Sequence, residues 1–232
     1  MDADLWDLGQ FTAGTEFLRT FTFTNEGDFS IVAPSVELVS GTSIGLNTCG
    51  NFMAAGSSCT IEIVANKVIS GTYDEFITFN SGDAGSLKLQ LRSQVSPAGP
   101  ATLISLEAPP STIIADGQDT KTVTTIPIRD RFGNIVSDGT NVSLGTNNLT
   151  VVGPTTVQTV NGIISFQVQS TTQRGDATVS IFAGEASGFL RLRATAGPPD
   201  GVIEVDPYIP ELIANGISQL VFKTKPLRDQ FN

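Results

Sequence analysis

Two stretches of this chain share one skeleton in an unbroken register of 99 positions. They are "IIADGQDTKTVTTIPIRDRFGN" at 113–134 and "ELIANGISQLVFKTKPLRDQFN" at 211–232. Ala115-Asp116-Gly117 answers to Ala214-Asn215-Gly216, Pro127-Ile128-Arg129-Asp130 to Pro226-Leu227-Arg228-Asp229, and Phe132 to Phe231. A pattern that returns at a fixed interval without a gap marks a repeated structural unit. An interval of this size suits a small domain that buries a core of its own. The second copy begins near Gly201 and covers only the first third of such a unit.

Within each unit the apolar residues alternate with period two, the signature of half-buried strands in antiparallel sheets. In "EFLRTFTFTN" Phe17, Arg19, Phe21 and Phe23 share one face, and in "CTIEIVA" so do Ile61 and Ile63. "GTYDEFITFNSG" aligns Tyr73, Glu75, Ile77 and Phe79, and "SLKLQLRSQV" aligns Leu87, Leu89, Leu91 and Val95. "GIISFQVQS" places Ile164, Phe166 and Val168 together. No helix-period apolar stretch exceeds about ten residues. Strands recur every 8–12 residues or so, the rhythm of a β-sandwich. The fold class expected is all-β: tandem Ig-like sandwiches, the last one truncated.

The alternation stops at "SPAGPA", residues 96–101, and again at "TAGPPDG", residues 195–201. Short segments rich in proline and glycine read as semi-rigid linkers. The expected domains are therefore 1–96, 101–196 and 201–232. Two strands are marginal alone, so 201–232 is expected to lean on the preceding domain, pair through an open edge, or depend on further chain.

The formal net charge is −10, with 40% hydrophobic and 16% charged residues. This is a globular composition. It lacks the basic footprint of a nucleic-acid binder. No apolar run is long enough to span a membrane. No signal peptide opens the chain at "MDADLWDLG", so an exported parent would carry its signal elsewhere.

"ADGQDTKTVTTIPIRDRFGN" resembles the opening strands of a group 1 bacterial Ig-like domain, the invasin/intimin type. Ile128, Asp130, Gly133 and Asn134 fill that family's V-x-D-x-x-G-N pattern. The resemblance covers about residues 101–195 and restarts near Gly201, with Asn232 where the first copy has Gly133. Residues 2–95 resemble a different Ig-like family, the ASH-type (Hydin-like, choice-of-anchor D) domain. That likeness lies in "LWDLGQFTAGTEFLRTFTFTNEGD" and "NTCGNFMAAGSSCTIEI", with Met53 at a position usually leucine-like. Both resemblances imply non-catalytic modules strung together in large secreted or cell-surface proteins.

Cys49 and Cys59, the only two cysteines, flank a glycine-bearing loop. In an exported protein they read as a short-loop disulfide worth roughly 2–3 kcal/mol; two buried free thiols are the alternative. With no histidine, a zinc site lacks ligands. Asp130 and Asp229 precede loops and read as turn formers bonding nearby backbone N–H groups. Gly133 and Asn134 supply a left-handed position beside Asp130, and Gly117 and Gly216 close the preceding turns. A ligand or acid role is the competing reading for both aspartates. Pro127 and Pro226 fall inside strand-like runs and are expected at an edge or bulge. The acidic groups Asp2, Asp4 and Asp7, and Asp200, Glu204 and Asp206, read as surface charge, with calcium at a linker as the competing reading. The absence of histidine and of a G-x-S-x-G elbow argues against nucleophilic catalysis. No cofactor is expected.

The function expected is that of a non-catalytic stalk or adhesion segment of a large modular bacterial protein, extracellular or at the cell surface. Its partners would be neighbouring Ig-like domains of the same chain and a host-surface, cell-surface or matrix protein or glycan, without nucleic acid and without membrane insertion. The alternatives are accessory modules of a secreted enzyme, a carbohydrate- or protein-binding module, and a phage virion or tail-fibre decoration domain.

Overall fold

The computed structural model describes residues 4–100, 103–205, 214–217, 219 and 222–231. Asp2, Ala101, Asp206 and Asn232, named above, lie outside the described residues. The chain divides into two compact units. One comprises Met1–Thr102 with Pro127–Thr140 and Thr159–Gly162. The other comprises Leu103–Ile126, Asn141–Gln158 and Ile163–Asn232.

The strands of the first unit are β1 (Asp4–Thr12), β2 (Glu16–Thr24), β3 (Ile31–Val32), β4 (Ser35–Glu37), β5 (Thr42–Asn47), β6 (Phe52–Met53), β7 (Ser58–Asn66), β8 (Gly71–Asn80) and β9 (Ser86–Ser96). One sheet runs β1-β9-β8-β4 and another β2-β7-β5, while β3 pairs with β6. The first strand lies parallel to the last. Such a pairing cannot come from a hairpin; it needs the chain to cross between sheets, and here it closes an Ig-like sandwich. Period-two alternation puts Ile61, Ile63, Ile77, Phe79, Leu89 and Leu91 inside, all essentially inaccessible to solvent. Each side chain so buried stabilises the fold by roughly 1.5–3 kcal/mol relative to exposure. The rings of Phe21 and Phe23 each lie 5.1 Å from that of Phe79, joining the two sheets. At β1 the register slips between Asp7 and Gln10. There Gly9 takes a φ of 66°, and its N–H donates to the Asp7 carboxylate at 2.8 Å.

Lys67 and Asn25 are among the polar side chains buried in this unit. Lys67, whose side chain is almost wholly buried, donates to the Ser40 carbonyl, pairs with Glu75 and lies 4.5 Å from the Tyr73 ring centre. Partial burial and the Glu75 charge raise the Tyr73 pKa. Asn25 is also buried and donates to the carbonyls of Phe29 and Met53 at 2.8 and 3.0 Å. Beside it Cys49 and Cys59 form a disulfide with Cα atoms 5.0 Å apart, packed with Ala33 and Met53.

The second unit contains β10 (Leu106–Glu107), β11 (Thr112–Ile114), β12 (Thr120–Thr125), β13 (Asn141–Asn147), β14 (Leu149–Val152), β15 (Thr156–Gln158), β16 (Ser165–Ser170), β17 (Gly175–Ala183) and β18 (Ala186–Thr195). Its sheets run β11-β18-β17-β13-β15 and β10-β12-β16-β14. Here β11 pairs with the last strand, β18, in parallel, as β1 does with β9. Ala177, Val179 and Ile181 of β17 and Leu190 and Leu192 of β18 are buried, as are Val123, Phe166 and Val168 of the other sheet. The chain changes sheets between β13 and β14 at Asn148, which adopts a φ of 57°. Gly188 admits no side chain, because a Cβ there would stand 2.4 Å from the Ile104 carbonyl oxygen. The fold is all-β, as the alternation indicates.

Candidate functional site

Among the described residues no group of three or more His, Cys, Asp or Glu side chains is placed to hold a metal ion. The most constructed polar site is the loop from Pro127 to Thr140. β12 ends at Thr125, whose hydroxyl accepts the Ile164 N–H. The Ile126 N–H then donates to the Ser105 carbonyl and the Ile128 N–H to the Gly162 carbonyl. Pro127, which has no N–H, falls between these two satisfied amides and stands outside any strand. The proline expected at an edge or bulge stands where the chain leaves the sheet.

Beyond it Arg129 bridges to Ile135, and the Asp130 N–H donates to the Asn134 carbonyl at 2.9 Å. Gly133 takes a φ of 88° to close the turn. A carboxylate offers about four lone-pair sites, and those of Asp130 are all taken. Oδ1 accepts from the backbone N–H of Phe132 and of Asn134, at 2.8 and 2.9 Å. Oδ2 accepts from the Ala98 N–H at 2.8 Å and from Asn134 Nδ2 at 2.9 Å. Asp130 is 0% exposed. Burial alone pushes its pKa up, but the Asn134 amide and the three backbone N–H groups outweigh it and hold the carboxyl below its ordinary value. Such an aspartate has no free oxygen for a cation and no proton to lend.

Asn134 reaches further. Its Nδ2 donates to the Val68 carbonyl at 2.8 Å, and its Oδ1 accepts the Ser70 N–H at 2.9 Å. The two partners sit in the connection between β7 and β8. The Phe132 ring lies over Gly14, where a Cβ would stand 2.4 Å from its edge. Arg131 stacks 4.8 Å from the centre of the same ring.

The second copy of the motif repeats two of the Asp130 bonds and the pairing before the proline, each partner shifted by the same 99 positions. Asp229 Oδ2 accepts the Gly197 N–H at 2.9 Å, as Asp130 accepts that of Ala98. Asp229 Oδ1 accepts the Phe231 N–H at 3.1 Å, as Asp130 accepts that of Phe132. The Lys225 N–H donates to the Glu204 carbonyl, as that of Ile126 does to Ser105. Val205 bridges Thr224, as Leu106 pairs with Thr125. Pro226 follows that bridge by two residues, as Pro127 follows β12. Upstream, Gly117 and Gly216 take φ values of 72° and 71° beside Asp116 and Asn215, whose oxygens accept the N–H groups of Gln118 and Ile217. Asp116 also accepts from the Asp119 N–H and the Ser170 hydroxyl. The Asp119 and Gln118 amides lead the causes that lower its pKa.

Asp4 pairs with Arg19 at 2.9 Å, and Glu204 pairs with Lys225 at 2.6 Å.

Two features escape the sequence reading. Asn25 belongs to the "TNEG" run that carries the family likeness, yet its burial as a loop staple is visible only in the structure. Several phenylalanines lie outside the core: Phe29 and Phe52 are 82% and 70% exposed. Phe182 and Phe189 form an exposed edge-to-face pair with ring centres 6.4 Å apart. Their parity, opposite to that of Ile181 and Leu190, was the available signal.

No protein-family model matches the chain, and comparison with curated protein sequences finds no match. Among solved structures, Yersinia pseudotuberculosis InvD is similar at 16% identity and a TM-score of 0.46, over 96% of this chain and 68% of that one. Invasin, titled a bacterial integrin-binding protein, is similar at 18% identity and a TM-score of 0.43, over 93% of this chain and 47% of its own. The Vibrio cholerae protease VesB is similar at 21% identity and a TM-score of 0.31, over 40% of this chain and 30% of that one. Likeness of this degree assigns neither partner nor activity.

Proposed function

We propose that the chain is a non-catalytic structural segment of a large modular bacterial protein, secreted or at the cell surface, that spaces or presents a binding region. In this reading an ASH-like sandwich spans 1–96, an invasin/intimin-type sandwich spans 101–196, and 201–232 opens a further domain of the second type. One observation carries it. The best-built polar side chain in the molecule, Asp130, has both oxygens committed to N–H donors, and its counterpart Asp229 makes the matching bonds to Gly197 and Phe231. A group spent on backbone geometry, and used again with each repeat, serves architecture rather than chemistry. The test is labelling of intact cells that carry the protein, using antibodies against residues 1–232. Labelling without permeabilisation is expected; labelling confined to permeabilised cells would end the reading.

A binding module is the second reading, favoured by the exposed Phe182–Phe189 pair with Arg191 and Arg193 on the same strand face as Phe189. The partner in that case would be a host-surface, cell-surface or matrix protein or a glycan. Loss of glycan-array or matrix-protein binding on Phe189→Ala would support it.

A further inference from the structure

The loop 127–140 is continuous in sequence with β12 and β13, yet it is part of the compact unit built around β1–β9. Its side chains explain why. The Asp130 carboxylate does not serve its own turn alone. Its Oδ2 also takes the N–H of Ala98, in the segment that leaves β9. Asn134 spends its amide on Val68 and Ser70, between β7 and β8. Phe132 covers Gly14, just after β1. Ala98, Val68, Ser70 and Gly14 all lie at the end of the first sandwich where β9 runs out, and none belongs to the loop.

We propose that the Asp-x-Phe-x-Asn loop is a docking plug, and that the β9 end of the preceding sandwich is its receptor. Asp130 latches the linker amide, Asn134 bonds the β7–β8 connection, and Phe132 fills the space left by the missing side chain at Gly14. The partner this end face fits is therefore the Asp-x-Phe loop of the next repeat, not a free ligand. The second copy carries the same latch, since Asp229 holds the Gly197 N–H and Phe231 follows it at the same spacing. The Phe231 surroundings include Ile114 and Asp116, at the end of and just after β11, the strand that corresponds to β1. Each repeat thus brings the plug for the sandwich before it, which makes the array directional. The inference deepens the spacer reading and rests on it for its use. Its geometry is tested separately, because cell labelling can fail while the plug holds, and the reverse.

A local turn role predicts something different. Were Asp130 and Asn134 only folding their own loop, the amides of Ser70 and Ala98 would not depend on them. The experiment uses the whole chain, residues 1–232, with Asn134→Ala and Ala98→Pro. The first removes the bonds to Val68 and Ser70 and leaves the backbone turn of Asp130. The second deletes the latch N–H and touches no side chain of the loop. Amide hydrogen exchange and nitrogen-15 relaxation are read at Ser70, at 128–137 and along β7–β9. In the parent chain the loop amides should share the correlation time of β7–β9. In Asn134→Ala the Ser70 amide should exchange about tenfold faster, as expected for one lost hydrogen bond, and the loop should gain nanosecond mobility. In Ala98→Pro the loop should gain mobility while its own turn amides at Phe132 and Asn134 stay protected. If Asn134→Ala fails to fold, Ala98→Pro decides alone. A parent loop already moving independently of β7–β9, or unchanged loop mobility in a folded Ala98→Pro chain, would overturn the proposal.

Discussion

Asp130 and Asp229 occupy the same place in two copies of one motif and make the same two bonds, to a linker N–H and to the N–H two residues on. They differ in surroundings. Asp130 is 0% exposed, whereas Asp229 is half-buried. Asn134 adds a side-chain bond to Asp130 and two more to the β7–β8 connection. The two bonds common to both copies are those of the Asp-x-Phe latch, and the Asn134 bonds seal it around Asp130.

The largest expected effect breaks that comparison at its centre. Asp130→Ala leaves four N–H donors without their acceptor in a buried site, so a loss of about 3 kcal/mol or more is expected. Asp229→Ala, in a site open to water, should cost about 1 kcal/mol or less. Urea unfolding of both variants measures the pair, and equal losses would remove the distinction. Acid offers a milder form of the same cut. The Asp130 pKa is lowered in the folded state, so its stabilisation is fully present above the unfolded carboxyl value of about 4. It is lost as pH falls through the folded value. Protection of the Ala98 amide, corrected for intrinsic exchange, should be flat from neutral pH to about 5 and decline below 4. A decline near neutral pH would mean that another group controls the latch.

The disulfide provides a control at a site distinct from the loop. Cys49 and Cys59 close a loop ten residues apart, and its removal by Cys49→Ser with Cys59→Ser should cost roughly 2–3 kcal/mol. The loss should appear in the unfolding of the first sandwich, with the Ser70 and Ala98 amides keeping their protection at low denaturant. Loss of that protection in the native state would show that the receptor end is coupled to the disulfide end.

The fold was largely legible in the sequence. Alternation alone marks Ile61, Ile63, Ile77, Phe79, Leu89 and Leu91 as a core, because period two places the apolar residues of each strand on one face. The parity of Phe182 against Ile181 likewise marks an outward ring. The repeat register of 99 positions also survives as a register of hydrogen bonds. The receptor for Asp130 and Asn134 was not legible, for a physical reason. Its groups are the N–H of Ala98, the N–H of Ser70 and the carbonyl of Val68, which every non-proline residue carries. A side chain that binds backbone has a partner with no sequence signature. Gly14 is a partial exception, since a close approach by Phe132 demands a glycine, but a glycine in a turn has commoner explanations.

The smallest effect exchanges a residue between the two copies. Gly133 takes a φ of 88°, and a Cβ there would meet nothing within 4 Å. The corresponding position of the second copy is Asn232. Asparagine tolerates left-handed backbone better than other side chains, though not as freely as glycine. Gly133→Asn should therefore cost about 1 kcal/mol or less, from backbone preference alone. Gly133→Val should cost more, because a β-branched side chain is a true outlier at positive φ. Both are measured by urea unfolding against the parent chain. If Gly133→Asn were as damaging as Asp130→Ala, the glycine would have to be admitting something closer than the open space it faces. The two copies would then differ in the turn itself and not only in what surrounds it.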